Sequence, residues 1–281
     1  MPTTLPLSST THPKHTTHAP IRDDNPKFTI SSYKQKCLTE HASVTRTDAT
    51  DDPRTYAEAM AHPDATNWDA TCEDKICTFQ QMGVYEIVPQ PKGCKVIGSK
   101  WVFWIKRGPD GSVQKYKACV VAQGFTQIEG LDYDETFTPV AKFPSFHTVL
   151  ALATHLNLEL HQMDVKAAYL NGKLKEEIFM EPPPGFDTPD DMVLCLIKAV
   201  YGTKQGRRVW YEDICQAFHD MGYMWTSADH AVFVHIHEDT FSIIVLYVDD
   251  LMLGSTCLKA MLEDKDFLKK RYQMTDLGEV S

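Results

Sequence analysis

Along the first fifty residues, polar and apolar positions follow no period. Thr, Ser, His and Pro dominate, and residues 1–52 read as a disordered polar leader. The pattern changes near Arg54. Trp68, Cys72, Ile76 and Phe79 recur at helical spacing, with Asp64 placed to cap the start. Val84 to Val88 reads as a strand. Val96 to Ile105 reads as a longer one, Gly108-Pro109-Asp110-Gly111 as a turn, and Ser112 to Val121 as the returning arm of a β-hairpin. Val149 to Leu156 predicts a helix, and Leu158 to Val165 a strand that ends in an acid. Trp210, Ile214, Phe218 and Met221 predict a helix over Trp210 to Met221. Ala231 to Ile236 and Phe241 to Leu253 are strand-like, and Leu258 to Lys270 is helical. No internal repeat is present. The mixture predicts an α+β fold, an antiparallel sheet backed by helices.

At 281 residues and 43% hydrophobic content, the chain can bury a core as one large domain or two small ones. A net charge of -10 argues at first against a nucleic-acid partner, because phosphate contacts depend on Lys and Arg. The distribution changes that picture. Residues 51–74 hold Asp51, Asp52, Glu58, Asp64, Asp69, Glu73 and Asp74 against Arg54 alone. Lys100 to Lys117, by contrast, holds Lys100, Lys106, Arg107, Lys115 and Lys117 against Asp110, and Lys198 to Arg208 has no acid. Two basic clusters on an acidic chain suit a polyanion held in a groove; two solvated faces are the plainer alternative. The eight cysteines are scattered without a CxxC, as expected of reduced thiols in an intracellular protein. No apolar signal core or membrane-length stretch is seen, so no membrane partner is expected and cytoplasm is the default location. His12, His15 and His18, like His235 and His237 on one strand face, could serve a metal, but a polar tail and an ordinary strand explain them as well.

The acids are more informative. Asp23-Asp24, Asp51-Asp52 and Asp190-Asp191 lie in polar surroundings and read as solvated loops. Asp249-Asp250 lies inside an apolar run from Ile243 to Leu253. Desolvating two carboxylates there costs several kcal/mol each unless a cation or partner compensates. A tight hairpin turn that presents them to a metal accounts for this; an exposed turn is the alternative. Asp164 ends the strand Leu158 to Val165. One carboxylate at a strand end and a pair on a neighbouring hairpin are what two-metal phosphoryl transfer requires, with two Mg²⁺ (or Mn²⁺) about 3.5–4 Å apart on hard oxygen ligands. A nuclease would need the same parts.

These residues also carry a resemblance. Tyr247-Val248-Asp249-Asp250 looks like the YxDD box of reverse transcriptases. Gln162 to Gly172 (QMDVKAAYLNG) resembles the QMDVKTAFLNG segment of Ty1/copia-type LTR retrotransposon enzymes. Lys100 to Phe103, Gly124 to Gln127, Thr136 to Val140, Glu181 to Phe186 and Tyr201 to Gln205 follow that family in order, and the likeness covers about Tyr56 to Gly278. It implies a right-hand polymerase with fingers and palm over 53–281, stopping before thumb and RNase H. The substrates implied are an RNA or DNA template with its primer and a dNTP, and the oligomeric state stays open. Asp164 and Asp249 would be the main metal ligands, with Asp250 beside them. Tyr169 would exclude the ribose 2′-hydroxyl, or else simply pack in the core. Gln205 and Lys117 would lie near the incoming nucleotide, and Lys100, Lys106, Lys115, Lys204 and Tyr247 along the nucleic acid.

Departures from the family gather at basic positions. Cys119 replaces the Arg of KARLVAKGF and Gln123 replaces its second Lys; Trp104, His147 and Arg207 stand where Lys, Arg and Pro are usual. Losing one charge-assisted phosphate contact costs ~1.5–3 kcal/mol, roughly ten- to hundredfold in affinity. Two readings follow: a working RNA-directed DNA polymerase domain, or an impaired remnant that keeps the fold and at most weak nucleic-acid binding.

Overall fold

The structure, a computed structural model, describes residues 52–280. The expected leader lies outside the described residues except for Asp52, whose carboxylate accepts a hydrogen bond from the Ile105 amide at 3.1 Å. His12, His15 and His18 fall outside as well.

Helix α1 (Tyr56–Ala61) is capped by Thr55, whose hydroxyl accepts from the Glu58 amide. Helix α2 (Ala65–Gln81) buries Trp68, Cys72 and Phe79, as the helical spacing requires. Asp64 stands at its N-cap, but the side chain makes no capping bond. Strands β1 (Tyr85–Pro89), β2 (Val96–Ile97), β3 (Ser99–Arg107) and β4 (Val113–Ala122) follow. β3 and β4 form the expected antiparallel hairpin. The unbroken arm expected from Val96, however, is cut at Gly98: β2 leaves the hairpin and pairs parallel with β6 (Lys173–Met180). With β7 (Met192–Lys198) these make a four-stranded sheet in the order β1-β7-β6-β2. Trp68 and Phe79, Trp101 and Phe103, Ala118 and Val120, and Met180 and Leu194 share one core that joins this sheet, the hairpin and α2.

The remaining elements build a second, larger sheet. They are α3 (Phe143–Leu156), β5 (Glu159–Val165), α4 (Gly206–Asp220), β8 (Met224–Trp225), β9 (Val232–His237), β10 (Thr240–Tyr247), β11 (Asp250–Ser255), α5 (Leu258–Arg271) and β12 (Met274–Glu279). Six strands run antiparallel in the order β12-β5-β11-β10-β9-β8. Alternation divides their side chains between two faces. Met163, Ile244, Leu246, Leu251 and Leu253 pack with Trp210, Ile214 and Phe218 of α4 and with Met261 and Leu268 of α5. Val232, Ile243 and Val245 point the other way, into a cluster with Val149 of α3. Helices therefore cover both faces, which is why β10 reads as a continuous apolar run. α3 begins six residues earlier than expected, because Pro144 suits a first helical turn, where its missing N–H is unneeded. Among the described residues no helix is long and apolar enough to cross a membrane.

Candidate active site

The sheet register sets the site. Asp164 of β5 stands directly opposite Asp250 of β11, so both carboxylates leave the same face at one end of the sheet. Tyr247 pairs with Asp250 across the β10–β11 hairpin, leaving Val248 and Asp249 as a two-residue turn. Val248 has φ +59°, a conformation β-branched residues rarely adopt. Two bonds hold it: the Trp210 indole N–H donates to the Val248 carbonyl at 2.8 Å, and the Val165 amide donates to the Asp249 carbonyl at 2.8 Å. The three acids expected from the sequence are thus gathered on adjacent strands and their connecting turn.

Their surroundings are aromatic and polar. The Tyr201 hydroxyl lies 3.5 Å from Asp249 Oδ2, and Gln162 Nε2 lies 3.4 Å from Asp250 Oδ1. Burial first, then the Asp249 carboxylate, pushes the Tyr201 phenol well above its ordinary value, so it is a neutral donor. Tyr169 is buried and packs on Tyr201, with ring centres 4.6 Å apart. Burial also raises the Tyr169 phenol; Arg207 opposes this and Asp249 adds to it. Tyr169, Arg207, Trp210, Val248 and the Thr138–Val140 segment line a shallow concavity beside the acids. Tyr247 is half-buried, its ring 6.1 Å from Phe146 of α3.

The hairpin gathers the candidate lysines. Lys100, Trp104 and Lys106 of β3 lie opposite Val121, Lys117 and Lys115 of β4. Directly opposed residues share a face, so Lys100, Lys106, Lys115 and Lys117 lie on one side, away from the buried Trp101, Phe103, Ala118 and Val120. Cys119 is on the lysine side, opposite Val102. Its thiol is raised by burial and by Asp249, against the pull of Lys75 and Lys117, so it is a neutral group there. Lys117 Nζ lies 5.3 Å over the Trp104 ring. At the base of the hairpin the Ala122 amide donates to the Tyr201 carbonyl at 2.7 Å. That approach needs Gly202, where a Cβ would stand 2.1 Å from the Ala122 carbonyl oxygen.

Lys204 is exposed. Gln205, in contrast, is buried, and its amide is committed to internal partners: Asp132 O at 3.0 Å, Glu176 Oε2 at 3.3 Å and the Gln127 side chain at 3.2 Å. In this geometry Gln205 braces the loop that carries Tyr201. Sequence reasoning passed over Lys75 and Trp210. Trp210 was visible only as a core position. Nothing local marks Lys75, which reaches the site because α2 packs behind the hairpin.

Three carboxylates with hard oxygen donors suit a divalent cation such as Mg²⁺. Among the described residues no group of three or more His, Cys, Asp or Glu is already gathered to hold a metal ion. What the structure gives is the backbone register that sets Asp164 opposite Asp250, with Asp249 in the adjoining turn. His235 and His237 have ring centres 6.1 Å apart, and His235 packs on Tyr223; they are ordinary strand residues.

Residues 82–281 match the family described as reverse transcriptase (RNA-dependent DNA polymerase). The chain is 38% identical over 230 residues to the retrovirus-related Pol polyprotein from transposon TNT 1-94 of Nicotiana tabacum, covering 81% of this chain and 17% of that protein. It is 32% identical over 240 residues to the corresponding polyprotein from transposon RE2 of Arabidopsis thaliana (84% and 16%). It is 33% identical over 193 residues to the transposon Ty1-H Gag-Pol polyprotein of Saccharomyces cerevisiae (66% and 10%). The chain thus spans 10–17% of the length of these relatives.

Proposed function

This chain belongs to the reverse transcriptase (RNA-dependent DNA polymerase) family, in the copia-type branch of retrotransposon Pol proteins, and from there we propose that residues 53–281 form the fingers and palm of an RNA-directed DNA polymerase. The observation that carries this is the register of Asp164 against Asp250, with Asp249 in the adjoining turn. The six-stranded sheet is the palm, and the β3–β4 hairpin with its lysine face is the fingers.

In the reaction the primer 3′-hydroxyl attacks the dNTP α-phosphorus. A new P–O bond forms, the α–β bridging P–O bond breaks, and pyrophosphate leaves. Two divalent cations on Asp164, Asp249 and Asp250, Mg²⁺ or Mn²⁺ in its place, supply nucleophile activation and leaving-oxygen stabilisation when bound. Tyr201 donates toward Asp249 and keeps that carboxylate turned to the site. Tyr169, locked against Tyr201, presents a flat wall where the sugar of the incoming nucleotide sits. Lys117 faces the nucleotide; Lys100, Lys106 and Lys115 hold the template, with Lys204 and Tyr247 along primer and template. Gln205 supports nucleotide binding through the loop it braces.

Cys119 favours a second reading, an impaired remnant, because it puts a neutral thiol on the lysine face. One experiment separates them: extension of oligo(dT) on poly(rA) with Mg²⁺ or Mn²⁺. Incorporation that falls to background in Asp249→Asn supports the enzyme. No incorporation by the wild type, restored by Cys119→Arg, supports the remnant. Silence in both sinks the polymerase reading.

A further inference from the structure

Helix α2 brings a cation to the acids from outside the residues the family match covers, which begin at 82. Lys75 is half-buried, with Nζ 5.4 Å from the ring centre of Phe79 and 5.7 Å from that of Tyr201. Tyr201 in turn reaches Asp249 with its hydroxyl and Tyr169 with its ring. One aromatic ring therefore separates the Lys75 ammonium from the carboxylate turn. From the other side, Lys75 exerts the largest charge effect on Cys119, ahead of Lys117. The ammonium is thus near enough to act both on the Tyr201 ring and on Cys119, the one thiol on the lysine face of the hairpin.

An ammonium over aromatic faces is held without losing all its N–H donors, and its flexible four-carbon stem lets it follow an anion. Phe79 and Tyr201 flank the ammonium itself, and its charge acts on whatever enters between the hairpin and the acids. A triphosphate is the polyanion that belongs there in a polymerase.

We propose that Lys75 is a further substrate-binding residue, its ammonium contacting the triphosphate of the incoming nucleotide and supplying from α2 the charge that Cys119 lacks. This rests on the polymerase reading. A lysine with a purely structural role would steady the Tyr201 ring and treat all nucleotides alike. A phosphate ligand distinguishes a triphosphate from a monophosphate.

The test is titration of dTTP and dTMP onto the full chain bound to poly(rA) and a dideoxy-terminated oligo(dT) primer, in Ca²⁺ so that nothing turns over. The expected result is that Lys75→Gln and Lys75→Met weaken dTTP about ten- to hundredfold, with dTMP nearly unchanged. Lys75→Arg should stay near the wild type. Adding Cys119→Arg to Lys75→Gln should recover most of the dTTP loss, since both would serve the same phosphates. Equal dTTP affinity in wild type and Lys75→Gln overturns the proposal, as does an equal loss for dTTP and dTMP. Circular dichroism melts identify a variant that fails to fold, and Lys75→Met, which keeps an unbranched apolar side chain beside the rings, then decides. Absence of dTTP binding by the wild type overturns the polymerase reading and this inference with it, whereas binding unaffected at Lys75 overturns the inference alone.

Discussion

Val248 carries a cost that its neighbours must offset. A β-branched side chain at φ +59° is disfavoured by about 1–2 kcal/mol or more. The conformation turns the chain sharply enough to set Asp249 beside the Asp164–Asp250 pair. The Trp210 indole holds the Val248 carbonyl at 2.8 Å and is itself buried, meeting Tyr272 edge-on at 5.4 Å. Trp210→Phe removes that hydrogen bond and leaves a small void. We expect a loss of about 1–2 kcal/mol in stability, a melting temperature lower by several degrees, and primer extension reduced more than fivefold while the protein is still folded. Calorimetry and steady-state rates check both parts. A lower melting temperature with an unchanged rate would reduce Trp210 to a packing residue.

At the scale of elements, β12 is the most exposed to chance. It is the sheet's outer strand beside β5, with few apolar side chains turned inward. Ion pairs fasten it instead. Buried Lys265 of α5 meets Asp276 at 2.6 Å and the His161 ring at 2.9 Å, and Lys269 meets Asp276 at 2.8 Å. Partial burial raises the Asp276 carboxyl, but the two lysines and the Gly278 amide outweigh it and hold the group well below the usual carboxylate range. Asp276→Asn leaves Lys265 buried without its partner, which costs about 2–3 kcal/mol by urea unfolding at pH 7. A depressed carboxylate contributes fully above the unfolded value and loses its contribution as pH falls through the folded one. The gap between wild type and variant should therefore hold from pH 7 to roughly pH 5, begin to narrow near pH 4 and go on narrowing as pH falls toward the depressed folded value. A pH-independent gap would mean that shape, not charge, fastens the strand. β12 also shows what the sequence concealed. Helices with a full apolar stripe, such as α2 and α4, were legible, as were β10 and its turn. β12 was not, because its stability comes from charges on another element. β6 was missed for a related reason: from Lys173 to Glu177 exposed charged residues alternate with half-buried Leu174 and Glu176, and only Ile178, Phe179 and Met180 are buried.

Charge over the whole molecule governs how a protein of net charge -10 could hold a polyanion. The carboxylates of the site were legible because acids in apolar flanks demand a reason. That Lys100, Lys106, Lys115 and Lys117 share one face was not, since it depends on β3–β4 register and on α2 covering the other side. Lys75 was invisible for the same kind of reason, as its place depends on packing between distant segments. On a protein of acidic net charge, basic residues concentrated on this face and in the Lys198–Arg208 segment should make binding local and steeply dependent on salt. If Lys100, Lys106 and Lys115 each displace one counterion from a single-stranded template, they should contribute about -2 to the slope of the logarithm of the binding constant against log salt, near -0.7 per contact. Lys100→Gln, Lys106→Gln and Lys115→Gln should each weaken oligo(rA) binding at low salt and flatten the slope by about 0.7. Exposed lysines away from the hairpin, such as Lys259, give the control. Fluorescence anisotropy over a salt series reads the slope directly. Slopes unchanged in the hairpin variants would remove this face as the nucleic-acid interface, because counterion release follows the residues that touch phosphate and is indifferent to those that do not.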